Sequence, residues 1–179
     1  MNAALFVRIF QSVVYTSRFT YINQELPTLC RRFFGIQPVP ERTYIMGLSM
    51  GGYGAMKCAF TAPQQYAGCA GFSSVAEIQA ELPQLCRWHE DQAIFPHGIV
   101  PPQDDLFDLV EKFRDGTCPM PRLFLACGQQ DSLYPANLRL RDTLQAMNCP
   151  LTWYEAPGDH NWFFWNDALG RAMKELLEN

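Results

Sequence analysis

A serine flanked by glycines is the residue whose type and spacing most clearly permit chemistry. Residues 47–52 read GLSMGG, so glycines stand two positions before and two positions after Ser49. An apolar, strand-like run precedes this segment, and a helix-like run over residues 53–60 follows it. A serine at the apex of such a strand, turn and helix has a strained backbone, and we expect the two glycines to prevent a Cβ clash. The pattern predicts a nucleophile at a helix N-terminus, where developing negative charge is stabilised.

The histidines help to separate this interpretation from a glycine-rich turn that only packs a helix on a sheet. The sequence has three histidines, and His160 lies in a turn-rich segment directly after a strand-like run. His89 and His97 lie in a polar, proline-containing stretch, which is more typical of surface residues. His160 is therefore the predicted general base.

An acid must lie between the serine and the histidine in the chain order of α/β-hydrolases. Asp131 follows an apolar, strand-like run over residues 123–127. Asp159 and Asp167 compete with it, but both lie too close to His160 in sequence to need a separate strand end, and Asp159 is suited to shaping the turn. We predict Asp131 as the third catalytic residue.

The three residue types fit nucleophilic catalysis on an acyl group. The hydroxyl of Ser49 is a weak nucleophile that needs a base, and His160 can take its proton and return it to the leaving group. Asp131 would orient the imidazole and stabilise its charged form. The backbone N–H of Met50 is the predicted donor to the oxyanion, whereas the Met50 side chain is expected to pack.

Several separated segments of the sequence carry a family resemblance. They are residues 25–29 (ELPTL), residues 47–57 (GLSMGGYGAMK), residues 126–131 (ACGQQD) with Leu133 and Tyr134, and residues 157–162 (PGDHNW) with Phe164 and Trp165. Together they resemble the tributyrin esterase group of the esterase D and S-formylglutathione hydrolase superfamily. The last segment resembles the tributyrin and acetyl esterase branch more than the S-formylglutathione branch.

The resemblance implies an α/β-hydrolase fold, a three-layer sandwich with a mainly parallel sheet. It implies a serine carboxylesterase that hydrolyses short-chain acyl esters through an acyl-enzyme intermediate, with Ser49, Asp131 and His160 on the triad positions. S-formylglutathione, a feruloyl ester and an acetylated sugar are alternative substrates. No metal or other cofactor is expected.

The sequence departs from the family pattern before the glycine–serine motif. Family members carry a longer N-terminal portion, with the first strands and an oxyanion loop of His-Gly type. Here Gly35 is the only glycine before Gly47, and residues 1–18 do not resemble the family. We therefore expect an N-terminally truncated hydrolase. A non-catalytic or weakly active fragment that binds a partner is the alternative of another class.

Length and composition indicate one packed globular domain over residues 1–179. Hydrophobic residues make up 48% and charged residues 18%, and the net charge is −4. This balance lacks the basic surface that nucleic-acid binding requires. The seven cysteines include no C-x-x-C pair, so a zinc site is not expected and reduced thiols favour the cytoplasm. The N-terminus has neither a signal peptide nor a membrane-span pattern.

Apolar periodicity predicts alternating helices and strands. Strands are expected at residues 42–48, 67–72, 122–127 and 151–155, and helices at residues 21–34, 49–62, 105–113 and 135–147 and at the C-terminus. This alternation predicts a parallel sheet, with the three catalytic residues beyond strand C-termini. Residues 75–120 are either a cap over the site or a surface excursion.

Two surfaces remain open to interpretation. The aromatic residues 162–165 either seat the C-terminal helix on the sheet or line an acyl pocket, and Trp162 is the candidate for the pocket rim. The strand before Ser49 would have one bare edge, unless residues 3–10 or 12–19 pair with it. A bare apolar edge favours association, so a homo-oligomer through this edge is the alternative expectation.

Overall fold

Four short apolar segments form one parallel sheet in the computed structural model, which describes residues 19–85 and 95–178. The strands are β1 (Tyr44–Leu48), β2 (Gly68–Phe72), β3 (Arg122–Gly128) and β4 (Leu151–Ala156). Their order in the sheet is the same as their order in the chain, and every neighbouring pair is parallel. All four strands therefore end at the same edge. The predicted strands are confirmed, with ends that differ by no more than two residues.

Helices connect the strands and follow the last one. They are α1 (Leu26–Phe34), α2 (Met50–Thr61), α3 (Ile78–Leu85), α4 (Leu106–Val110), α5 (Tyr134–Ala146) and α6 (Trp162–Leu177). A π-helical turn, Tyr21–Glu25, leads into α1, and a 3-10 turn, Glu111–Phe113, continues α4. Asp105 caps α4 by accepting from the backbone N–H of Phe107 at 2.8 Å.

Side chains alternate between the two faces of the sheet, as the pleat of a strand requires. In β3, Leu123 and Leu125 join a core that contains α2, α4 and α5, whereas Phe124 and Ala126 join a second core beneath α6. The sheet therefore lies between two helical layers. This is the predicted three-layer α/β sandwich.

The core faces of α5 and α6 differ in side-chain size. On α5 the fully buried leucines are Leu140 and Leu144, while Leu138 is only half-buried. On α6 the small residues Ala168 and Ala172 are buried, and Leu169 and Met173 are exposed. Small side chains allow a helix to approach a sheet closely, so the larger apolar residues lie on its flank.

The segment before β1 is fixed through a polar contact. Asn23 is buried, donates to Cys58 Sγ at 3.3 Å and accepts from the hydroxyl of Tyr66 at 2.6 Å.

Gly35 ends α1 with a positive φ of 66°, and its N–H donates to the carbonyl of Arg31. Gly35 is therefore the C-terminal cap of α1.

The segment expected to be a cap is anchored beside α2. Asp104 forms a buried ion pair with Lys57, and its backbone carbonyl accepts from the hydroxyl of Tyr53 at 2.6 Å. Leu106 and Val110 are fully buried in the core that contains α2. Its role as a cap over the site stays a prediction.

The edge of the sheet at β1 is less covered than the interior strands. Within the described residues β1 has a neighbour on one side only, and all five of its residues are half-buried. None of the residues of α1 is buried, and its Phe33 and Phe34 are 68% and 75% exposed. The predicted pairing of residues 3–10 or 12–18 with this edge lies outside the described residues. Phe19, the last residue of that stretch, is helical.

No helix in the described ranges is both long and apolar enough to cross a membrane. The segment that contains His89 and Cys86 lies outside the described residues.

We predict concentration-dependent self-association through the edge of β1 and the apolar face of α1, because an uncovered apolar strand edge is a template for pairing. Replacing Phe33 and Phe34 together by serine should shift the equilibrium towards the monomer. Light scattering after size-exclusion chromatography measures this shift. Phe163→Ser is the matched control, since Phe163 is 91% exposed on α6.

A monodisperse wild-type monomer at every concentration would contradict this prediction. Hydrogen-exchange protection of residues 3–19 in such a monomer would identify that segment as the cover of the edge.

Candidate active site

Ser49 lies at a sharp turn between β1 and α2. Its backbone has φ 55° and ψ −122°, a region that non-glycine residues rarely adopt. Its N–H donates to the carbonyl of Phe72 at 2.8 Å, which extends the ladder between β1 and β2 by one residue. The predicted strained serine between a strand and a helix is therefore present.

The glycines around Ser49 serve different purposes from those expected. A Cβ on Gly47 would lie 2.1 Å from the carbonyl oxygen of Gly51, so this position admits only glycine. A Cβ on Gly51 would meet nothing within 4 Å, so the expectation that a Cβ would clash at this position is wrong. The close approach after the serine is at Gly52, where a Cβ would lie 2.2 Å from Ser74 Oγ. The two glycines of the turn that matter sterically are thus Gly47 and Gly52.

The three predicted catalytic side chains form a hydrogen-bonded line. His160 Nε2 lies 3.0 Å from Ser49 Oγ, and His160 Nδ1 lies 2.8 Å from Asp131 Oδ2. The carboxylate of Asp131 can only accept, so Nδ1 carries the proton and Nε2 is free to accept from the serine hydroxyl. Ser49 and His160 are 111 positions apart in the chain, and Asp131 and His160 are 29 positions apart. Their catalytic role stays a prediction, and their geometry is that of a serine, its base and the orienting acid.

The loops after β3 and β4 are tied to each other, which holds the acid and the histidine at a fixed separation. The N–H of Gln130 donates to the carbonyl of Gly158 at 2.9 Å, and the N–H of Gly158 donates to Gln130 Oε1 at 2.6 Å. A Cβ on Gly128 would lie 2.4 Å from the Gly158 carbonyl oxygen, so the loops are in close contact. Asp131 and His160 extend from these two loops.

Asp131 is buried yet is held in its charged form. Burial by itself raises the pKa of this carboxyl, but hydrogen bonds from His160, Ser73 and the backbone N–H of Leu133 together bring its pKa below the ordinary value. The Leu133 N–H lies 2.9 Å from Oδ1. A charged carboxylate beside Nδ1 is the state that can stabilise an imidazolium.

The competing residues do not reach the site. Asp159 accepts from the backbone N–H of His160 at 2.7 Å, as the turn interpretation expects. Asp167 is exposed and binds Tyr154 and Arg171. His97 is exposed in the segment beside α3. Asp131 is therefore the acid that contacts His160.

The N-terminus of α2 provides a donor beside the serine. The first N–H groups of a helix have no intrahelical acceptor, so the N–H of Met50 is available to a substrate oxyanion. The side chain of Met50 is half-buried and packs against the α2 core, as expected. The role of Met50 as the oxyanion donor stays a prediction.

The aromatic residues after His160 divide into two groups. Phe164 and Trp165 are buried against the sheet, whereas Trp162 and Phe163 are exposed. The ring of Trp165 meets the edge of His160 with centroids 4.9 Å apart, and Trp162 packs on Trp165 at 5.5 Å. Trp165 therefore supports the histidine, and Trp162 lies one ring farther out, where its contribution to a pocket rim stays a prediction.

Sequence reasoning missed two residues of this site, Ser73 and Trp165. The indole Nε1 of Trp165 donates to Ser73 Oγ at 3.1 Å, and a hydrogen bond from Ser73 is among the causes that lower the pKa of Asp131. The signal that was available is that Ser73 directly follows β2, at the same sheet edge as the other strand ends.

Over the described ranges, no three or more histidine, cysteine, aspartate or glutamate side chains are grouped to hold a metal ion.

Comparison with known proteins matches residues 11–106 to the family model named Esterase, which is more than half of the chain. The chain belongs to this esterase family. The family that the motifs indicated is therefore confirmed.

Other members of the esterase family are similar over most of this chain. An acetyl esterase of Caldicellulosiruptor saccharolyticus is 28% identical over 163 residues, which are 86% of this chain and 61% of that protein. The S-formylglutathione hydrolase of Bos taurus is 25% identical over 82% of this chain and 51% of its own length. This esterase thus spans about half to three fifths of the curated relatives that it matches.

Solved structures agree with the fold. The S-formylglutathione hydrolase FrmB of Staphylococcus aureus superposes with a TM-score of 0.78 at 30% identity, covering 88% of this chain and 63% of that one. The serine hydrolase FphF of the same organism also gives 0.78, at 29% identity, over 90% and 64%. The predicted α/β-hydrolase fold is confirmed.

We predict that Gly47→Ala lowers the free energy of unfolding by about 2 kcal/mol or more, because its Cβ would overlap the backbone of α2. Gly51→Ala is the matched control, since its Cβ meets open space, and it should leave stability unchanged or raise it by up to about 1 kcal/mol. Urea denaturation of both variants measures the difference. Equal losses for the two variants would show that the turn does not depend on the approach at Gly47.

Proposed function

We propose that this chain is a serine carboxylesterase that hydrolyses short-chain acyl esters through an acyl-enzyme intermediate. The observation that carries the proposal is the continuous hydrogen-bonded line from Ser49 through His160 to Asp131, with contacts of 3.0 and 2.8 Å. Membership of the esterase family supports the same reaction class. Because the chain covers only part of its relatives' length, the activity of this form is part of the proposal.

The first half-reaction forms the acyl-enzyme. His160 Nε2 takes the proton of Ser49 as Oγ attacks the ester carbonyl. The carbonyl oxygen becomes negatively charged and accepts a hydrogen bond from the N–H of Met50. The dipole of α2 stabilises the same charge. His160 then returns its proton to the departing alcohol.

The second half-reaction uses the same groups on water. His160 takes a proton from water, and the water oxygen attacks the acyl carbonyl. His160 then returns the proton to Ser49 Oγ as the carboxylic acid product is released. Asp131 stays charged through both halves, because its pKa is below the ordinary value, and it stabilises the imidazolium each time.

A small acyl group is the favoured substrate feature. The relatives are named acetyl esterase and S-formylglutathione hydrolase, so their names share an acyl group of one or two carbons. We therefore propose acetyl and other short esters as substrates. The thioester S-formylglutathione is the second candidate, favoured by the 30% identity to FrmB.

A hydrolase-like module without catalysis is the alternative of another class. It is motivated by the segment before β1, where no His-Gly oxyanion loop occurs in the sequence. Loss of one oxyanion donor lowers the rate by roughly 10²- to 10³-fold, so the esterase with Met50 as one donor would be slow rather than inactive.

We further propose that the enzyme works in the cytoplasm as a hydrolase of small molecules, without a nucleic-acid or membrane partner. The six cysteines of the described residues are free, and Cys58, Cys69 and Cys127 are buried among apolar side chains. Burial raises the pKa of these thiols, which keeps them neutral and unreactive.

We predict measurable hydrolysis of p-nitrophenyl acetate by the wild type, and a loss of at least about 10⁴-fold in Ser49→Ala. A fluorophosphonate probe should form one adduct, on Ser49, detected by mass spectrometry of the digested protein. Folded wild-type protein that neither turns over the ester nor carries the adduct would favour the non-catalytic module. The kcat/KM for S-formylglutathione in the same preparation ranks the two substrate candidates.

Asp131→Asn should lower kcat by about 10⁴-fold, because an amide in place of the carboxylate favours the wrong imidazole tautomer. Asp167→Asn is the matched control: it removes an exposed carboxylate that binds Arg171, and the rate should stay close to that of the wild type. Steady-state kinetics on p-nitrophenyl acetate measures both. A large loss in Asp167→Asn with little loss in Asp131→Asn would reassign the acid.

A further inference from the structure

Ser73 has an unusual backbone at the edge of the sheet where the site lies. It directly follows β2, is fully buried, and has a positive φ of 46°. Its N–H donates to the carbonyl of Ala126 at 2.7 Å, one residue beyond the ladder between β2 and β3. A serine in this region is strained, and such strain persists where the surroundings fix the residue for a function.

The hydroxyl of Ser73 has a limited choice of partners. The indole N–H of Trp165 lies 3.1 Å from Oγ and can only donate. The thiol of Cys127 lies 3.9 Å away, and burial raises its pKa to about 12, so it stays neutral and is a weak partner. Because Ser73 is fully buried, its own proton needs an acceptor inside the protein. Trp165 also packs on His160, which hydrogen-bonds Asp131, so this cluster of side chains offers the Asp131 carboxylate as that acceptor, and a hydrogen bond from Ser73 is among the causes that lower the pKa of Asp131.

Asp131 therefore receives three donors from three directions. The imidazole N–H of His160 reaches Oδ2 at 2.8 Å, the backbone N–H of Leu133 reaches Oδ1 at 2.9 Å, and the hydroxyl of Ser73 adds the third. The Leu133 donor belongs to the same loop as Asp131 and would move with it. Ser73 directly follows β2 and its N–H is bonded to β3, so its bond ties the acid to the sheet.

We propose that Ser73 is a positioning residue of the esterase site: its hydroxyl, oriented by the indole of Trp165, holds the Asp131 carboxylate against His160. This inference rests on the function proposed above and adds a fourth residue to it. Trp165 contacts both Ser73 and His160, because its indole N–H donates to Ser73 and its ring packs perpendicular to the His160 ring. The pair thus fixes the acid and limits rotation of the base.

Ser73→Gly is the variant that tests the hydroxyl with the least disturbance of the backbone. Glycine adopts a φ of 46° without strain, whereas a β-branched threonine would not. We expect kcat on p-nitrophenyl acetate to fall by about 10- to 100-fold, the loss typical of a hydrogen bond to a charged group. KM should stay the same, because Ser73 does not touch the substrate.

The pH profile separates positioning from simple stability. The Ser73 donor lowers the pKa of Asp131, so its removal should make the carboxylate a stronger acceptor for the protonated imidazole of the base. The acid limb of kcat/KM follows protonation of the base and should therefore move to higher pH in Ser73→Gly. Trp165→Phe keeps the ring against His160 and removes only the indole donor, so it should show a smaller change in the same direction.

Ser74→Ala is the matched control. Ser74 is also fully buried, but its hydroxyl has no hydrogen-bond partner within the described residues, and its backbone contacts with Asn137 stay in the variant. Its kcat, pH profile and free energy of unfolding should be close to those of the wild type.

A second readout does not need turnover. The downfield proton resonance of the bond between His160 Nδ1 and Asp131 should shift or broaden in Ser73→Gly and stay unchanged in Ser74→Ala. If the wild type is inactive and Ser49 takes no fluorophosphonate, the proposed function fails, while this resonance still tests the role of Ser73. An unchanged resonance and acid limb in Ser73→Gly, with or without a lower free energy of unfolding, would overturn the proposal.

Discussion

The parallel register of the four strands is the constraint on which the site depends. Because β1 to β4 run in the same direction and in chain order, their carboxyl ends meet at one edge. Each end contributes one polar group: Ser49 after β1, Ser73 after β2, Asp131 after β3 and His160 after β4. The contact between Asp131 and His160 joins neighbouring strand ends, whereas the contact between His160 and Ser49 joins the ends of β4 and β1, with β2 and β3 between them, so the segment after β4 has to reach back across this edge. A reversal of any one strand would carry its group to the opposite edge.

The strain at this edge has a common physical origin. The N–H of Ser49 and the N–H of Ser73 each donate to the last part of the neighbouring strand, at Phe72 and Ala126. These bonds hold each backbone in strand geometry up to the serine, where the chain must turn sharply, and both serines have a positive φ. The sheet supplies the hydrogen bonds that offset such strain. The backbone that carries the two hydroxyls is therefore fixed by the sheet.

The sequence predicted the parts of this arrangement that are written in local patterns. Apolar runs located the strands, Gly47 and Ser49 located the turn, and chain order with strand context selected Asp131 and His160. It could not predict contacts that depend on three-dimensional packing. Ser73 lies in an unremarkable run of small residues, and its importance follows only from the approach of Trp165, 92 positions later. The burial of Ala168 and Ala172 on α6 is likewise a result of packing, because alanines give a weak periodic signal beside the larger, exposed Leu169 and Met173.

The two sides of the site have unequal support. His160, Asp131 and Ser73 follow β4, β3 and β2, and Trp165 lies on α6. The interior strands β2 and β3 are paired on both sides, and α6 packs on one face of the sheet. At Ser49, β1 is paired with β2 but has no neighbour on its outer side within the described residues, and α1 leaves its apolar face exposed. In the proposed mechanism, orientation of the histidine by the acid therefore depends on the better-supported side, whereas the serine lies at the less covered edge. In the proposed reaction, the oxyanion depends on donors such as the N–H of Met50, which lies at the start of α2 beside the end of β1. Whatever covers the β1 edge should therefore influence oxyanion stabilisation and acyl selection more than the contact between His160 and Asp131, because the acid and its supports lie away from that edge.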